Sequence, residues 1–318
     1  MLFYNLTEKK VYNFPLPVPH DRYYRGFSQA VVHLLNLFNN NQNLLPPLST
    51  FDPVKNPTDP LDDDGCIHRA VLLKVVLSAN PTLNPNNYVV IAIFGSYSKM
   101  AFYKPGDDAW TSLDIKPSSK NQAWIQAREL SDRPASLQQD VIYYKNKFYA
   151  VDFFGALWVY GLSVPHPRLY NMVPSHDNQF YHLKYIVQSC GHLLLVGRNC
   201  PMLDVETKKL DWYDLKWVET KNLCGQMLFL GDNESLSLSA SDYPGCKQNH
   251  IYFTDNYLDR YYSGECPGPP DMGVYNLEDG TVEPHYQVTQ FKRFLPAPVW
   301  IEPTLGIYQM KLHVLYFF

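Results

Sequence analysis

Charge is scarce in this sequence. Only 18% of its 318 residues are charged and the formal net charge is -4, whereas ordinary globular chains carry about 25% charged residues. Neutralising a phosphate backbone takes an excess of Lys and Arg, so no nucleic-acid partner is expected. Long hydrophobic runs are missing as well. The longest, YVVIAIF at Tyr88 to Phe94, spans seven residues, far short of the roughly 20 that a membrane-spanning helix needs. No membrane association is expected. MLFYNLTEKK, at the start, has no basic flank before a long apolar stretch and no Arg- and Ser-rich amphipathic pattern, so neither a secretory signal nor a transit peptide is visible. Cytoplasm or nucleus is the expected compartment, with mitochondrion or plastid as the alternative.

Paired cysteines are also lacking. Cys66, Cys190, Cys200, Cys224, Cys246 and Cys266 stand singly, with no C-x-x-C and no Cys/His spacing suited to zinc. No metal is expected, and the thiols are expected to be reduced and mostly buried. Glycine, at 16 residues, is about 5% of the chain against the usual share of about 7%. No Gly-Gly doublet and no G-H to W-D series occurs, which argues against ordinary kelch and WD repeats. Convincing helical periodicity is absent. The best helical windows, Gln29 to Phe38 and Gln122 to Leu130, are too short to decide.

Aromatics are plentiful: 24 Tyr, 17 Phe and 6 Trp make up 15% of the chain, enough apolar surface to exclude disorder. The dominant pattern is a run of four to eight residues rich in Val, Ile, Leu, Tyr and Phe, ended by Asn, Asp, Gly or Pro, which predicts strands. Val141 to Asp152 reads as two strands around a tight turn at Asn146, and His192 to Arg198 and His250 to Tyr257 read as further strands. An apolar strand, polar turn and second strand recur six times, from Leu2, Val32, Met100, Leu157, Met202 and Met272. The mean spacing is about 54 residues, near the roughly 40 to 50 of propeller blades. Six hairpins predict a single all-β, six-bladed β-propeller over residues 1–318, with AVLLKVVLSAN, VIYYKNKFYAV, YIVQSCGHLLLV and SLSLSA as inner strands. A β-sandwich pair is the structural alternative.

LLPPLSTF, AVLLKVVLSANP, MAFYKPGDDAWTSL, DVIYYKNKFYAVDFFGALWVYGL, SLSASDYPGCKQNHIYFTDNY and DMGVYNLEDGTVEPHY, in this order, resemble the KIB-type β-propeller, a plant family often found behind an F-box. The resemblance implies a kelch-like propeller that recognises a protein substrate, in members whose F-box docks the Skp adaptor of a cullin-based ubiquitin ligase. Met1 opens directly into LFYNLTEKKVYNFPL, so no F-box is visible, and Skp or cullin docking would have to be supplied elsewhere. Two blades look abbreviated against the family pattern. Unpaired sheet edges favour closure by both termini, so Val299 to Pro303 is expected to join the Leu2 hairpin. The alternating tail from Tyr308 to Tyr316 is expected to replace a strand missing at the N-terminus.

No nucleophile elbow, P-loop or G-x-G-x-x-G is present, and no catalytic residue and no cofactor is expected. The run Asp62, Asp63, Asp64, Gly65 lacks the acidic residue that an EF-hand requires at position 71, which is Val. Asp107 and Asp108 read as turn residues. Asp152, Asp255 and Glu302 are imaginable axial acids for glycoside hydrolysis. His192, His250 and His285 have no ligand spacing. Tyr97, Trp110, Tyr143, Tyr144 and Trp158 read mainly as blade packing. The candidate partner-binding loop is Asp255 to Gly273, with Asp255, Tyr257, Asp259, Arg260, Tyr261, Tyr262 and Glu265 as contact residues, because tyrosines, an arginine and prolines suit an exposed recognition segment. The expected function is a monomeric, noncatalytic protein-recognition propeller. A carbohydrate-binding or glycoside-hydrolysing propeller, and a degenerate family copy, remain alternatives.

Overall fold

The computed structural model describes residues 2–5, 10–13, 33–35, 42–46, 50, 72–94, 99–113, 138–161, 168–174, 183–199, 205–231, 234–254, 272–283, 300 and 313–314. Contacts divide the chain into two compact units: Met1–Val18 with Phe153–Leu157 and Asn171–Ile301, and Pro19–Asp152 with Trp158–Tyr170 and Glu302–Phe318.

Every sheet but one is built by strands that follow one another. β1 (Leu2–Asn5) and β2 (Lys10–Asn13) form a hairpin, and so do β3 (His33–Leu35) and β4 (Gln42–Leu44). β5 (Leu72–Leu77), β6 (Val90–Phe94), β7 (Lys99–Tyr103) and β8 (Thr111–Ser112) make a four-stranded antiparallel sheet in chain order. Chain order is kept in the next two sheets, β9 (Gln138–Tyr144) to β10 (Lys147–Asp152), β11 (Leu157–Gly161) and β12 (Arg168–Val173), then β13 (Leu183–Ser189) to β14 (His192–Arg198), β15 (Val205–Asp211) and β16 (Lys216–Glu219). β17 (Gln226–Leu230), β18 (Ser235–Ser239), β19 (His250–Phe253), β20 (Gly273–Asn276) and β21 (Val282–Glu283) form a five-stranded sheet in the order β18-β17-β19-β20-β21. Its one parallel pair, β17 with β19, arises because residues 240–249 carry the chain from the end of β18 back past β17. β22 (His313–Val314) pairs with β3.

Tight turns explain the hairpins. Lys145 and Asn146 have φ of 45° and 61°, and Cys190 and Gly191 of 46° and 76°. Two consecutive left-handed residues make the primed turn whose twist matches the strands it joins. Burial follows position within a sheet. All five residues of β6 are buried, as are the last six of β14, because both faces of an inner strand are covered. β16, at the outer edge, buries none. In the second unit Val90, Ala92, Ala101, Tyr103 and Trp110 share one core. In the first, Tyr185, Val187, Leu194 and Val196 pack against Leu228, Leu230, Ile251 and Phe253, joining the β13–β16 sheet to the β17–β21 sheet.

These four- and five-stranded sheets are propeller blades, and among the described residues there are four, not the six expected. The six predicted hairpins do form. An outer hairpin becomes a blade only when inner strands pair beside it, however, and the β1–β2 sheet has two strands and the β22-β3-β4 sheet three. The four inner runs read from the sequence, now β5, β9–β10, β13–β14 and β18, were the better count. Serial small meanders also overturn the β-sandwich alternative. The helical window Gln29 to Phe38 contains a strand, His33–Leu35, while Gln122 to Leu130 lies outside the described residues. So does the predicted pairing of residues 299 and 301–303.

Candidate functional site

The seven candidate contact residues, Asp255, Tyr257, Asp259, Arg260, Tyr261, Tyr262 and Glu265, lie outside the described residues. The base from which their loop springs is described. β19 runs from His250 to Phe253 and β20 returns from Gly273, with Phe253 and Gly273 as Cα partners. The loop therefore leaves and re-enters the blade at adjacent points. Thr254 N–H donates to the Leu230 carbonyl at 3.1 Å, and the Trp300 indole Nε1 donates to the same oxygen at 2.8 Å. Trp300 also sets its ring against Phe229, with centroids 4.9 Å apart at 72°.

Beneath this base sits Arg198, with 0% of its surface exposed. Its guanidinium carbon lies 4.6 Å from the Phe253 ring centroid and Nη2 donates to the Tyr185 hydroxyl at 3.4 Å. A desolvated cation over an aromatic face is worth about 2 kcal/mol or more, so Arg198 fixes the ring on which the loop base rests. Gly273 completes the fit. A Cβ there would stand 2.9 Å from Val282 Cγ1 and 3.0 Å from Phe253 Cζ, so a side chain would push into the packed ring. The sequence marked Arg198 only as a strand end; its position at the end of HLLLVGR, after four apolar residues and a glycine, was the signal that it is drawn inside.

Of the three imaginable acids, Asp152 alone lies among the described residues. Asp152 is buried and accepts the Trp158 Nε1 hydrogen bond at 2.8 Å, inside its own blade. Nearby, burial first and the Asp152 charge second hold the Tyr160 phenol in its protonated form. Asp255 and Glu302 lie outside the described residues. A second buried acid, Asp140, is paired with Lys74 Nζ and its Oδ1 also accepts the Val141 N–H at 2.6 Å. These groups serve packing. No cluster of three or more His, Cys, Asp and Glu suited to a metal occurs among the described residues. His250 Nδ1 lies 2.6 Å from the Gln248 carbonyl, and His285 and the Asp62–Asp64 run are outside the described residues.

Aromatic placement separates packing from surface. Trp110 is buried and donates to the Pro46 carbonyl at 3.0 Å, and Tyr144 and Trp158 are buried in their blades. Asp107 acts as the expected turn residue, its Oδ2 accepting the Lys104 N–H at 3.1 Å. Exposed instead is Tyr213, at 95%, on the β15–β16 turn, a residue the sequence reading missed although DWYDLKW places it between two tryptophans at a turn. A groove of about 440 Å³ in the first unit is lined by Glu206, Thr207, Glu219, Lys221, Tyr275 and Asp279. Two of its acids are engaged by neighbours: Glu206 pairs with Lys208 at 2.7 Å, and Asp279 accepts from the Thr281 hydroxyl at 2.6 Å.

With the blades and the loop base in place, comparison with known proteins is informative. F-box protein SKIP23 of Arabidopsis thaliana is 27% identical over 244 residues, covering 67% of this chain and 53% of its own length. F-box protein At2g26160 of the same plant is 31% identical over 131 residues, 37% of this chain and 39% of its own. Putative F-box protein At5g55150, also from Arabidopsis thaliana, is 23% identical over 273 residues, 82% of this chain and 68% of its own. The chain spans about half the length, or less, of the first curated relatives it matches. The family model described as the KIB1-4 beta-propeller matches residues 3–276, three of the described blades whole and the fourth as far as the end of β20, and the chain belongs to that family.

Proposed function

We propose that this chain is a noncatalytic protein-recognition propeller, equivalent to the substrate-binding part of a plant F-box protein, and that the loop from Asp255 to Gly273 carries the contact residues. The observation that carries the reading is the match, through the blades, to proteins named as F-box proteins. A protein that delivers substrates to a ligase divides the work between docking to the ligase and recognising the substrate, and a propeller supplies many loops on a rigid frame for the second task. The packed base of Arg198, Phe253 and Gly273 supports placing recognition on the loop above it, because a contact segment binds more tightly when its ends do not have to be ordered on binding. The proposed partner is a protein substrate in the cytoplasm or nucleus. Ligase attachment, through the Skp adaptor or otherwise, is a separate step.

The test is co-purification of the tagged chain from plant cells, set against a variant in which residues 255–273 are replaced by a Gly-Ser linker and whose melting temperature matches the parent. The expected result is a discrete partner that binds the purified parent directly and is lost from the variant. Retention of the same partner by the variant would move the contact surface elsewhere, and recovery of chaperones alone would overturn recognition as the function. Skp adaptor in the parent sample would add ligase docking to the reading.

A further inference from the structure

The recognition reading leaves two exposed thiols unused, and they lie in neighbouring turns at the opposite end of the strands that carry the loop base. Cys190 occupies the two-residue turn between β13 and β14, and Cys224 precedes β17 in the neighbouring blade. Both are exposed, contrary to the expectation of mostly buried thiols, because both lie in turns and not in strands. Of the other cysteines, Cys246 is half-buried and Cys66, Cys200 and Cys266 lie outside the described residues. Cys190 Sγ stands 4.0 Å from the Leu223 carbonyl oxygen and 4.0 Å from that of Cys224 itself.

That contact places one sulfur against the backbone of the other cysteine. A disulfide needs Cα atoms about 4.4–6.8 Å apart, so its formation requires the two surface turns to bring Cys190 and Cys224 within that range. The second turn is held in place: Cys224 N–H donates to Asn222 Oδ1 at 2.7 Å and Leu223 N–H to Asn249 Oδ1 at 2.9 Å. Cys246 borders the same hollow, of about 460 Å³, as Cys224, but burial pushes its thiol up despite the hydrogen bond with Tyr252. A raised thiol carries less of the reactive thiolate.

We propose that Cys190 and Cys224 form a dithiol modification site that a low-molecular-weight disulfide of the glutathione type oxidises to a disulfide between adjacent blades. One cysteine thiolate attacks the reagent's S–S bond, forming a mixed disulfide and releasing one glutathione thiol. The second cysteine thiolate then attacks the protein sulfur of that mixed disulfide and releases the second glutathione thiol. The two cysteines together lose two protons and two electrons, and the reagent takes up both. The new bond closes a loop between residues 34 apart in sequence. It ties the β13–β16 blade to the β17–β21 blade, restricting the unfolded chain and stabilising the pair of blades under oxidation.

The experiment exposes the purified protein to oxidised glutathione, then measures intact mass, non-reducing peptide maps and melting temperature. Expected are a mass loss of two hydrogens, a cross-linked peptide pair containing Cys190 and Cys224, and a rise in melting temperature of about 5 °C or more that dithiothreitol reverses. Cys190→Ser and Cys224→Ser should each abolish all three, while Cys246→Ser keeps them. If a serine variant fails to fold, iodoacetamide labelling of the oxidised parent decides: Cys190 and Cys224 should be protected together. A persistent glutathione adduct on either residue, or a disulfide from either to another cysteine, would overturn the proposal.

Discussion

Burying Lys74 beside Asp140 takes two charges out of water, a cost offset only while they remain together. Their side chains are 8% and 2% exposed, so Lys74→Met should strand Asp140 and destabilise the second unit by about 3–5 kcal/mol, whereas Lys74→Met with Asp140→Leu should recover most of that loss. Urea unfolding of the two variants checks both halves of the statement. Tyr252 makes a pH prediction with the opposite sign from the usual carboxylate. Burial, opposed by the Lys247 N–H that donates to its oxygen, pushes its phenol up from 10.0 to about 12. The folded protein then keeps a proton that the unfolded chain releases, so this contribution is complete below pH 10.0 and is lost as pH rises toward about 12. The stability advantage of the parent over Tyr252→Phe should shrink across that window in alkaline urea titrations; a constant difference would remove Tyr252 from the linkage.

The turns and strand roots decide how each element stands up to change. Leu215 holds φ at 49° in the β15–β16 turn and is 39% exposed, so it bears left-handed strain outside the core. Leu215→Gly should relieve the strain and stabilise by up to about 1 kcal/mol, read as a higher urea midpoint with an unchanged slope. The turn itself is held by Asp211, whose Oδ1 accepts the Tyr213 and Asp214 N–H groups at 2.9 and 3.2 Å. Gly273→Ala should do the reverse and cost about 1–3 kcal/mol, because Phe253, Val282 and the Glu283 carbonyl leave no space for a methyl group; an unaltered unfolding midpoint would mean that the loop base gives way easily. At this scale the sequence was readable. His192–Arg198 became β14 with the ends predicted, and Val141 to Asp152 became β9 and β10 around Lys145 and Asn146, since alternation and turn residues are local signals. Arg198 was not readable as part of the loop base, because the Phe253 ring that receives it lies 55 residues further along the chain and only blade packing brings the two together.

Counting blades needs information that hairpins do not carry. The six repeats are real hairpins, yet four inner-strand sets pair beside them among the described residues, and whether inner strands reach an outer hairpin is a matter of long-range pairing. The tail shows the same limit. Its alternation suggests strand character and β22 forms at His313–Val314, but a period of two says nothing about which edge a strand joins, and the described pairing is with β3. His313 faces Leu35 and Val314 faces Leu34, so β3 has β4 on one side and the tail on the other. Deleting residues 306–318 should leave that side of β3 with unpaired backbone donors and acceptors. The expected outcome is a lower melting temperature together with faster hydrogen exchange at the amides of Leu34 and Leu35. The four complete blades, whose ladders do not involve β22, should keep their protection. A truncated chain with unchanged melting temperature and unchanged exchange at those two amides would show that β22 adds nothing to the second unit, and that β3 and β4 stand as a hairpin of their own.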